Sequence, residues 1–289
     1  MDPTDSTPQW KHALNRLQAM GQQMFRFSVP LYIWNITNPY PTPKFAASAL
    51  LADSGERQFY VTCKHVWDKY LWLKTRYPPE HIGLCAQVGA RPRSFLHLSE
   101  ISLVDQSSDL DLCILRGSLN YSNDFIEALA SGGRLHYRPP FRSFPVPKEG
   151  EEILLLGSPG RSRSLIHDPK GYTMVQGHTT LSLSATSISR GRLLRANTAG
   201  RKGTRSADAP SHDFLGGMSG SPAWLQRDGK LYVTGIFHEG ATAHDTILVT
   251  LLEDFLRTDG TLDHLAIPPC YSRYHGEGYG ESIPDDRFE

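Results

Sequence analysis

The stretch GGMSGSP, residues 216–222, runs directly into the apolar run Ala223, Trp224, Leu225. Small residues ahead of a strand ordinarily mark a turn. This cluster does more than a turn needs. Ser219 has Gly217 and Gly220 close on either side, and Ser221 and Pro222 follow. A nucleophilic serine needs neighbours with bare backbone, so that a substrate carbonyl can approach and backbone N–H groups can meet the developing oxyanion.

A serine hydroxyl is a poor nucleophile without a base to take its proton and a group to orient that base. The chain offers both. His65 closes the alternating stretch RQFYVTCKHV, residues 57–66, so an apolar strand delivers an imidazole at its end. Asp111 opens the apolar run DLCIL, residues 111–115. A carboxylate entering a core needs a partner there. Asp109 is the alternative one face-period away. Asp111 is preferred because four apolar residues follow it directly. For the nucleophile, Ser221 competes with Ser219, but it precedes Pro222, which cannot donate a hydrogen bond. The N–H groups of Gly217 and Ser219 are the candidate oxyanion donors. The pattern is not the G-x-S-x-G elbow, because position 221 is serine.

Outward from these residues, short apolar segments recur between turn signals. Residues 26–36, 45–52, 57–66, 95–104 and 110–117 form one set. Residues 151–157, 172–189, 191–197, 231–240 and 246–252 form another. Such series predict an all-β protein with two antiparallel six-stranded β-barrels. A short helical stretch interrupts the first set at residues 65–73. An N-terminal helix is expected from Trp10, Leu14, Leu17, Met20 and Met24, which share one stripe, with Thr7 and Pro8 at its start. A C-terminal helix is expected over residues 251–266. The predicted organisation is a helix over 1–24, a first barrel over 25–125 carrying His65 and Asp111, a second over 126–258 carrying Ser219, and an irregular tail over 259–289.

Composition narrows the function. The 289 residues carry 30 basic and 30 acidic side chains, so no global field points to nucleic acid or a membrane surface. The run RGRLLRANTAGRKGTR, residues 190–205, is basic but reads as a solvated loop, so no nucleic-acid partner is expected. No membrane partner is expected either, since no apolar run approaches the roughly 20 residues of a span. The four cysteines, Cys63, Cys85, Cys113 and Cys270, have no CxxC spacing, and no HExxH occurs, so neither a metal nor a cofactor is expected. No secretory leader is visible at the N-terminus. Reduced thiols and a cytoplasmic location are therefore the expectation.

The order histidine, aspartate, serine is that of chymotrypsin, unlike those of subtilisin and the α/β-hydrolases. VTCKHV resembles the T-A-A-H motif, DLCIL the D-[IL]-A-L-L motif and GMSGSP the G-[DN]-S-G-[GS]-P motif of trypsin- and chymotrypsin-like serine peptidases. The likeness is strongest to the bacterial-type branch without disulfides. EGEEILLLGSPG is similar to that family's opening strand of the second barrel, and VTGIFHEG to the strand lining its substrate cleft. The resemblance covers residues 25–255. It implies a triad of His65, Asp111 and Ser219 in the cleft between two barrels. The implied substrate is a protein or peptide. It also implies an S1 pocket with Asp213, six residues before Ser219, at its base and Gly240 on its wall. A carboxylate there would select Arg or Lys, and Arg201, Lys202 and Arg205 would then be self-cleavage sites. His238 stands where the family often has a serine near the triad aspartate. It could donate to Asp111 or line a Glu-selective pocket. Met218 replaces the aspartate that pairs with a newly cut N-terminus in trypsin, so activation by that ion pair is not available. A catalytically silent, peptide-binding member is the alternative reading, and a regulatory protein partner is left open.

Overall fold

The computed structural model describes residues 7–35, 43–87, 95–97, 101–116, 133–138, 144–158, 163–168, 171–176, 179–189, 193–197, 216–241, 246–253, 256–257 and 259–267. The fold is all-β, with two curled antiparallel sheets and few helices.

Helix α1, Thr7–Phe25, precedes both sheets. Of its expected stripe, Met20 and Met24 are buried and Leu17 packs against the core. The side chains of Trp10 and Leu14 lie outside the described residues. The helix crosses the second sheet closely: a Cβ on Gly21 would meet Thr180 Oγ1 at 2.6 Å. Arg134, on the segment joining the two sheets, donates to the carbonyls of Phe25 and Ser28 where α1 hands over to the first strand.

The first sheet contains β1 (Ser28–Asn35), β2 (Pro43–Asp53), β3 (Gln58–Cys63), β4 (Ile82–Gln87), β5 (Phe95–His97), β6 (Ser102–Ser107) and β7 (Leu112–Arg116). Their order is β5-β4-β1-β2-β3-β7-β6, which makes seven strands rather than the six expected. Helix α2, Lys64–Arg76, follows β3 without a break and is longer than the predicted helical stretch. Its buried face is Val66, Trp67, Tyr70 and Leu73, at helical spacing.

The second sheet closes into a six-stranded barrel in the order β11-β12-β15-β14-β13-β8. Its strands are β8 (Glu152–Gly157), β11 (Thr179–Ser189), β12 (Leu193–Asn197), β13 (Pro222–Arg227), β14 (Lys230–Ala241) and β15 (Thr246–Leu251). A separate hairpin, β9 (Arg163–Asp168) and β10 (Gly171–Gln176), begins ahead of the apolar segment expected over 172–189, and its second strand takes the first residues of that segment.

The unbroken apolar run in β8 has a physical cause. Ile153 and Leu155 point into the barrel core, and Leu154 and Leu156 join the core of the first sheet. Both faces of the strand are buried, so the usual alternation of polar and apolar residues disappears. The same division occurs in β13. Ala223 and Leu225 enter the barrel, while Trp224 joins the other core. Its ring lies 5.7 Å from that of Phe27 and 5.4 Å from that of Tyr137. Trp224 therefore fills the seam between the sheets.

Among the described residues of 251–266 no closing α-helix is formed. Leu251 is consumed by β15. Beyond it a turn forms at Asp259–Gly260, with Gly260 N donating to the Arg257 carbonyl at 3.0 Å. Gly260 has φ +85° and lies against the Phe59 ring, where a Cβ would come within 2.5 Å of Cε1. An Asp-Gly turn pressed onto a core aromatic defeats helical propensity. Residues 259–267 instead return to the first sheet, where Leu262 N donates to Asp105 Oδ2 at 2.8 Å.

Candidate active site

Strand β3 carries the chain to Cys63, and the helix that follows has His65 as its second residue. The start of α2 lacks a side-chain cap of its own, because Cys63 at the N-cap makes no such bond. Residue 111 supplies the missing acceptors. The Asp111 carbonyl accepts from Lys64 N at 2.9 Å, and Asp111 Oδ1 accepts from His65 N at 2.9 Å. Asp111 Oδ2 stands 2.6 Å from His65 Nδ1. A carboxylate is thus held at a helix N-terminus, where both the exposed N–H groups and the helix dipole favour negative charge.

Asp111 lies in the turn between β6 and β7 with φ +47°. Aspartate tolerates this left-handed region better than most residues. The turn is held from across the seam: Thr250 Oγ1 on β15 donates to the Leu110 carbonyl at 3.0 Å. Burial opposes ionisation of Asp111. The hydrogen bond from His65, the charges of His65 and His238, and the His65 backbone N–H together outweigh burial and keep the carboxyl below its ordinary range. Asp111, rather than Asp109, is the residue that faces His65.

The imidazole of His65 is half-exposed, with 41% of its side chain accessible. With Nδ1 donating to Asp111, the neutral ring keeps its lone pair on Nε2. That is the tautomer a general base needs.

Ser219 sits at the tip of a turn closed by Ser221 N donating to the Met218 carbonyl at 2.8 Å. Gly220, the third residue of that turn, has φ +88°, the sign a type II turn requires. The turn is fastened to both sheets. Ser219 O accepts from Ser48 N on β2 at 2.8 Å, and Gly220 N donates to the Phe237 carbonyl on β14 at 2.9 Å. Ser48 Oγ donates to the Gly217 carbonyl at 3.2 Å. A Cβ on Gly220 would lie 2.0 Å from the Ser48 carbonyl oxygen and 2.2 Å from Thr62 Oγ1. Only glycine fits there, and the close approach sets Ser219 beside β3, the strand that leads to His65. No hydrogen bond joins Ser219 Oγ to His65 among the described residues. Ser219 is partly exposed, whereas Ser221 is fully buried and its hydroxyl has no partner. Ser221 packs against Gly157, where an added Cβ would come within 2.7 Å of its Oγ. Substrate cannot reach that hydroxyl.

Cys63 and Cys113 flank the site as buried free thiols. Cys63 Sγ donates to the Phe237 carbonyl at 3.2 Å. Burial first, and then the nearby Asp111 charge, push both thiols well above the ordinary range. Cys63 Sγ, a His65 ring nitrogen and an Asp111 oxygen lie within 4.8 Å of one another, a composition that could serve a metal. The donor set does not fit one. The thiol is held protonated, and the 2.6 Å His65–Asp111 spacing is a hydrogen bond. Two ligands on one tetrahedral zinc ion stand about 3.3 Å apart.

His238, on β14, is buried with Nε2 3.6 Å from Asp111 Oδ2, so it faces the carboxylate. The buried side chain of Met218 belongs to the barrel core. Gly240 pairs with Ile247 in the β14–β15 ladder. Asp213 lies outside the described residues, as do Arg201, Lys202, Arg205, Cys270 and the expected barrel boundary at 125–126. No described helix is long and apolar enough to cross a membrane.

Two features of the site were not legible in the sequence: the capping of α2 by Asp111 and the anchoring of the serine turn by Ser48; the closeness of His238 to Asp111 is what the resemblance implied. The glycine at 220 was the one available signal for the second.

No family model matches the sequence, and no curated protein matches it. Among solved structures, the chain is similar to the thermostable serine protease AL20 from an extremophilic microorganism. Identity is 10% and the TM-score is 0.44, with 78% of this chain and 91% of that chain covered.

Proposed function

We propose that the protein is a serine endopeptidase. The observation that carries the reading is the Asp111 carboxylate, which holds His65 by both backbone N–H and Nδ1 at 2.9 and 2.6 Å. Ser219, on the partly exposed turn beside β3, is the proposed nucleophile. His65 takes its proton through Nε2 as Oγ attacks the scissile carbonyl. Asp111 fixes the ring and stabilises the imidazolium. The N–H groups of Gly217 and Ser219 are the proposed oxyanion donors, each worth about 3–4 kcal/mol of transition-state stabilisation. His65 then returns the proton to the leaving amine, and water hydrolyses the acyl-enzyme by the same steps. The reaction needs no cofactor in this scheme.

The missing Ser219–His65 hydrogen bond favours the second reading, a silent peptide-binding domain. Catalytic hydrogen bonds are often long in unliganded enzymes and tighten only with substrate, so it weighs little against the carboxylate geometry. A fluorophosphonate probe separates the two. Labelling of the folded chain, lost in Ser219→Ala, is the expected result. A folded chain that takes no label is the binding module. For specificity, the proposal is cleavage after Arg or Lys with Asp213 at the pocket base. Matched peptides with Arg, Lys, Glu, Leu or Ala at P1 test it, and a preference for Glu or Leu removes Asp213 from the role.

A further inference from the structure

Strand β14 changes register against β15 at His238. Phe237 pairs with Val249 and Glu239 with Leu248, so His238 is the extra residue of a β-bulge. A bulge re-aims the side chain it carries. Here it turns an imidazole into the triad. The side chain is only 7% exposed, and Nε2 lies 3.6 Å from Asp111 Oδ2. That is the same oxygen that stands 2.6 Å from His65 Nδ1. The two rings are 6.3 Å apart, centroid to centroid.

We propose that His238 is a positioning residue that makes Asp111 serve two imidazoles at once. The inference rests on the reading of His65, Asp111 and Ser219 as a working triad. Among the described residues, the titratable groups around His238 are Asp111 from the β6–β7 turn, His65 from α2 and Cys63, whose Sγ donates to the neighbouring Phe237 carbonyl. Cys63 stays a neutral thiol, and the segment of β15 opposite the bulge offers Leu248 and Val249, which do not titrate. Among the described residues, Asp111 is the anion within 4 Å of His238. In a triad this carboxylate stabilises the imidazolium that forms on the base. At 3.6 Å the second ring is too far for a hydrogen bond in this structure, but an N–H on Nε2 turned toward Oδ2 draws off part of the carboxylate's charge across that gap. A cationic His238 would act in the same direction, since it would also repel a proton on His65.

The test is the pH profile of kcat/KM for His238→Phe and His238→Gln. Phenylalanine removes the donor. Glutamine puts an amide N–H near the position of Nε2. With the donor gone, more of the carboxylate's charge falls on His65, and imidazolium there becomes more stable. The acid limb should move to higher pH by about half a unit to one unit, with kcat lowered and KM little changed. Glutamine should return the limb toward wild type. His238→Ala serves if the larger ring prevents folding. A second readout needs no turnover: the low-field proton resonance of His65 Nδ1, assigned by its loss in His65→Ala. It should move downfield in the apolar variants and back in His238→Gln. An acid limb and a resonance that both stay in place overturn the proposal, even where turnover falls, because packing loss alone would do that. If the wild-type chain hydrolyses nothing, the peptidase reading fails separately, and the resonance alone decides whether His238 acts on Asp111.

Discussion

Gly220→Ala is the sharpest single perturbation of this site. The added Cβ would lie 2.0 Å from the Ser48 carbonyl oxygen, which belongs to backbone, and 2.2 Å from Thr62 Oγ1. Carbon and oxygen need about 3 Å at the least, so the turn and β2 must part by about 1 Å. That movement falls on three hydrogen bonds: Ser48 N to Ser219 O at 2.8 Å, Gly220 N to Phe237 O at 2.9 Å and Thr62 Oγ1 to Ser48 O at 2.7 Å. Each is worth about 1 kcal/mol net. Holding alanine at φ +88° adds about 1–2 kcal/mol. Loss of two or three of these bonds with that strain comes to about 3–5 kcal/mol. At about 2–4 °C per kcal/mol, the melting temperature should fall by about 6–20 °C. Hydrolysis should fall further, since a misplacement of about 1 Å at the nucleophile costs around a hundredfold. The assays are thermal unfolding followed by circular dichroism, and initial rates on a peptide substrate. A variant that melts within about a degree of wild type and keeps its turnover would refute the claim that this glycine anchors Ser219.

Ser219→Ala, His65→Ala and Asp111→Asn should each lower hydrolysis by orders of magnitude while leaving the fold intact, and the Ser219→Ala/His65→Ala double variant should lose little more, because triad members act as a unit. Kinetics beside circular dichroism check this, and near-normal turnover in Ser219→Ala would remove the nucleophile assignment. Asp111 has a folded carboxyl below its ordinary value of 3.8, so its stabilisation is full above that pH and is lost as pH falls through the lower folded value. Acid unfolding of wild type should therefore lose an increment below about pH 4 that Asp111→Asn does not, and parallel curves would contradict the capping role. Cys63, Cys85 and Cys113 are buried, and burial pushes Cys85 up to about 12. Ellman's reagent should find at most one thiol in the native protein at neutral pH and all four after unfolding, with no change in melting on adding reductant.

Much of the framework was legible in the chain alone. Gly217 and Gly220 announced a turn with positive φ and a close backbone approach, because few other residues tolerate either. An apolar stretch leading to His65 and an apolar run opening with Asp111 marked two points where polar groups had to meet partners, although the strand itself stops at Cys63 and His65 stands in the first turn of α2. Turn residues between short apolar runs were enough for the all-β class, since strand period and turn chemistry are local properties. The expected closing helix failed for a local reason that competed with another. Residues 251–266 hold helix formers, but β15 claims the first of them, and the Asp259–Gly260 turn packs on Phe59. Burial of both faces of β8 hid its alternation, so its sequence could not say which leucine enters which core. Other features depended on partners distant in the chain. Asp111 caps a helix that begins 47 residues earlier, at Lys64. Ser48 holds a turn that lies over 150 positions away, and Thr62 bonds to the Ser48 carbonyl. His238 reaches Asp111 through a β-bulge, which is a mismatch between two strands and therefore belongs to neither sequence by itself. The sequence alone determined which residues could do the chemistry, because side-chain type and backbone tolerance are written residue by residue. Only the tertiary structure decided that Ser221 is sealed off, that Asp111 rather than Asp109 faces His65, and that His238 comes within 3.6 Å of the same carboxylate, because burial and distance are set by what packs across the seam between the sheets.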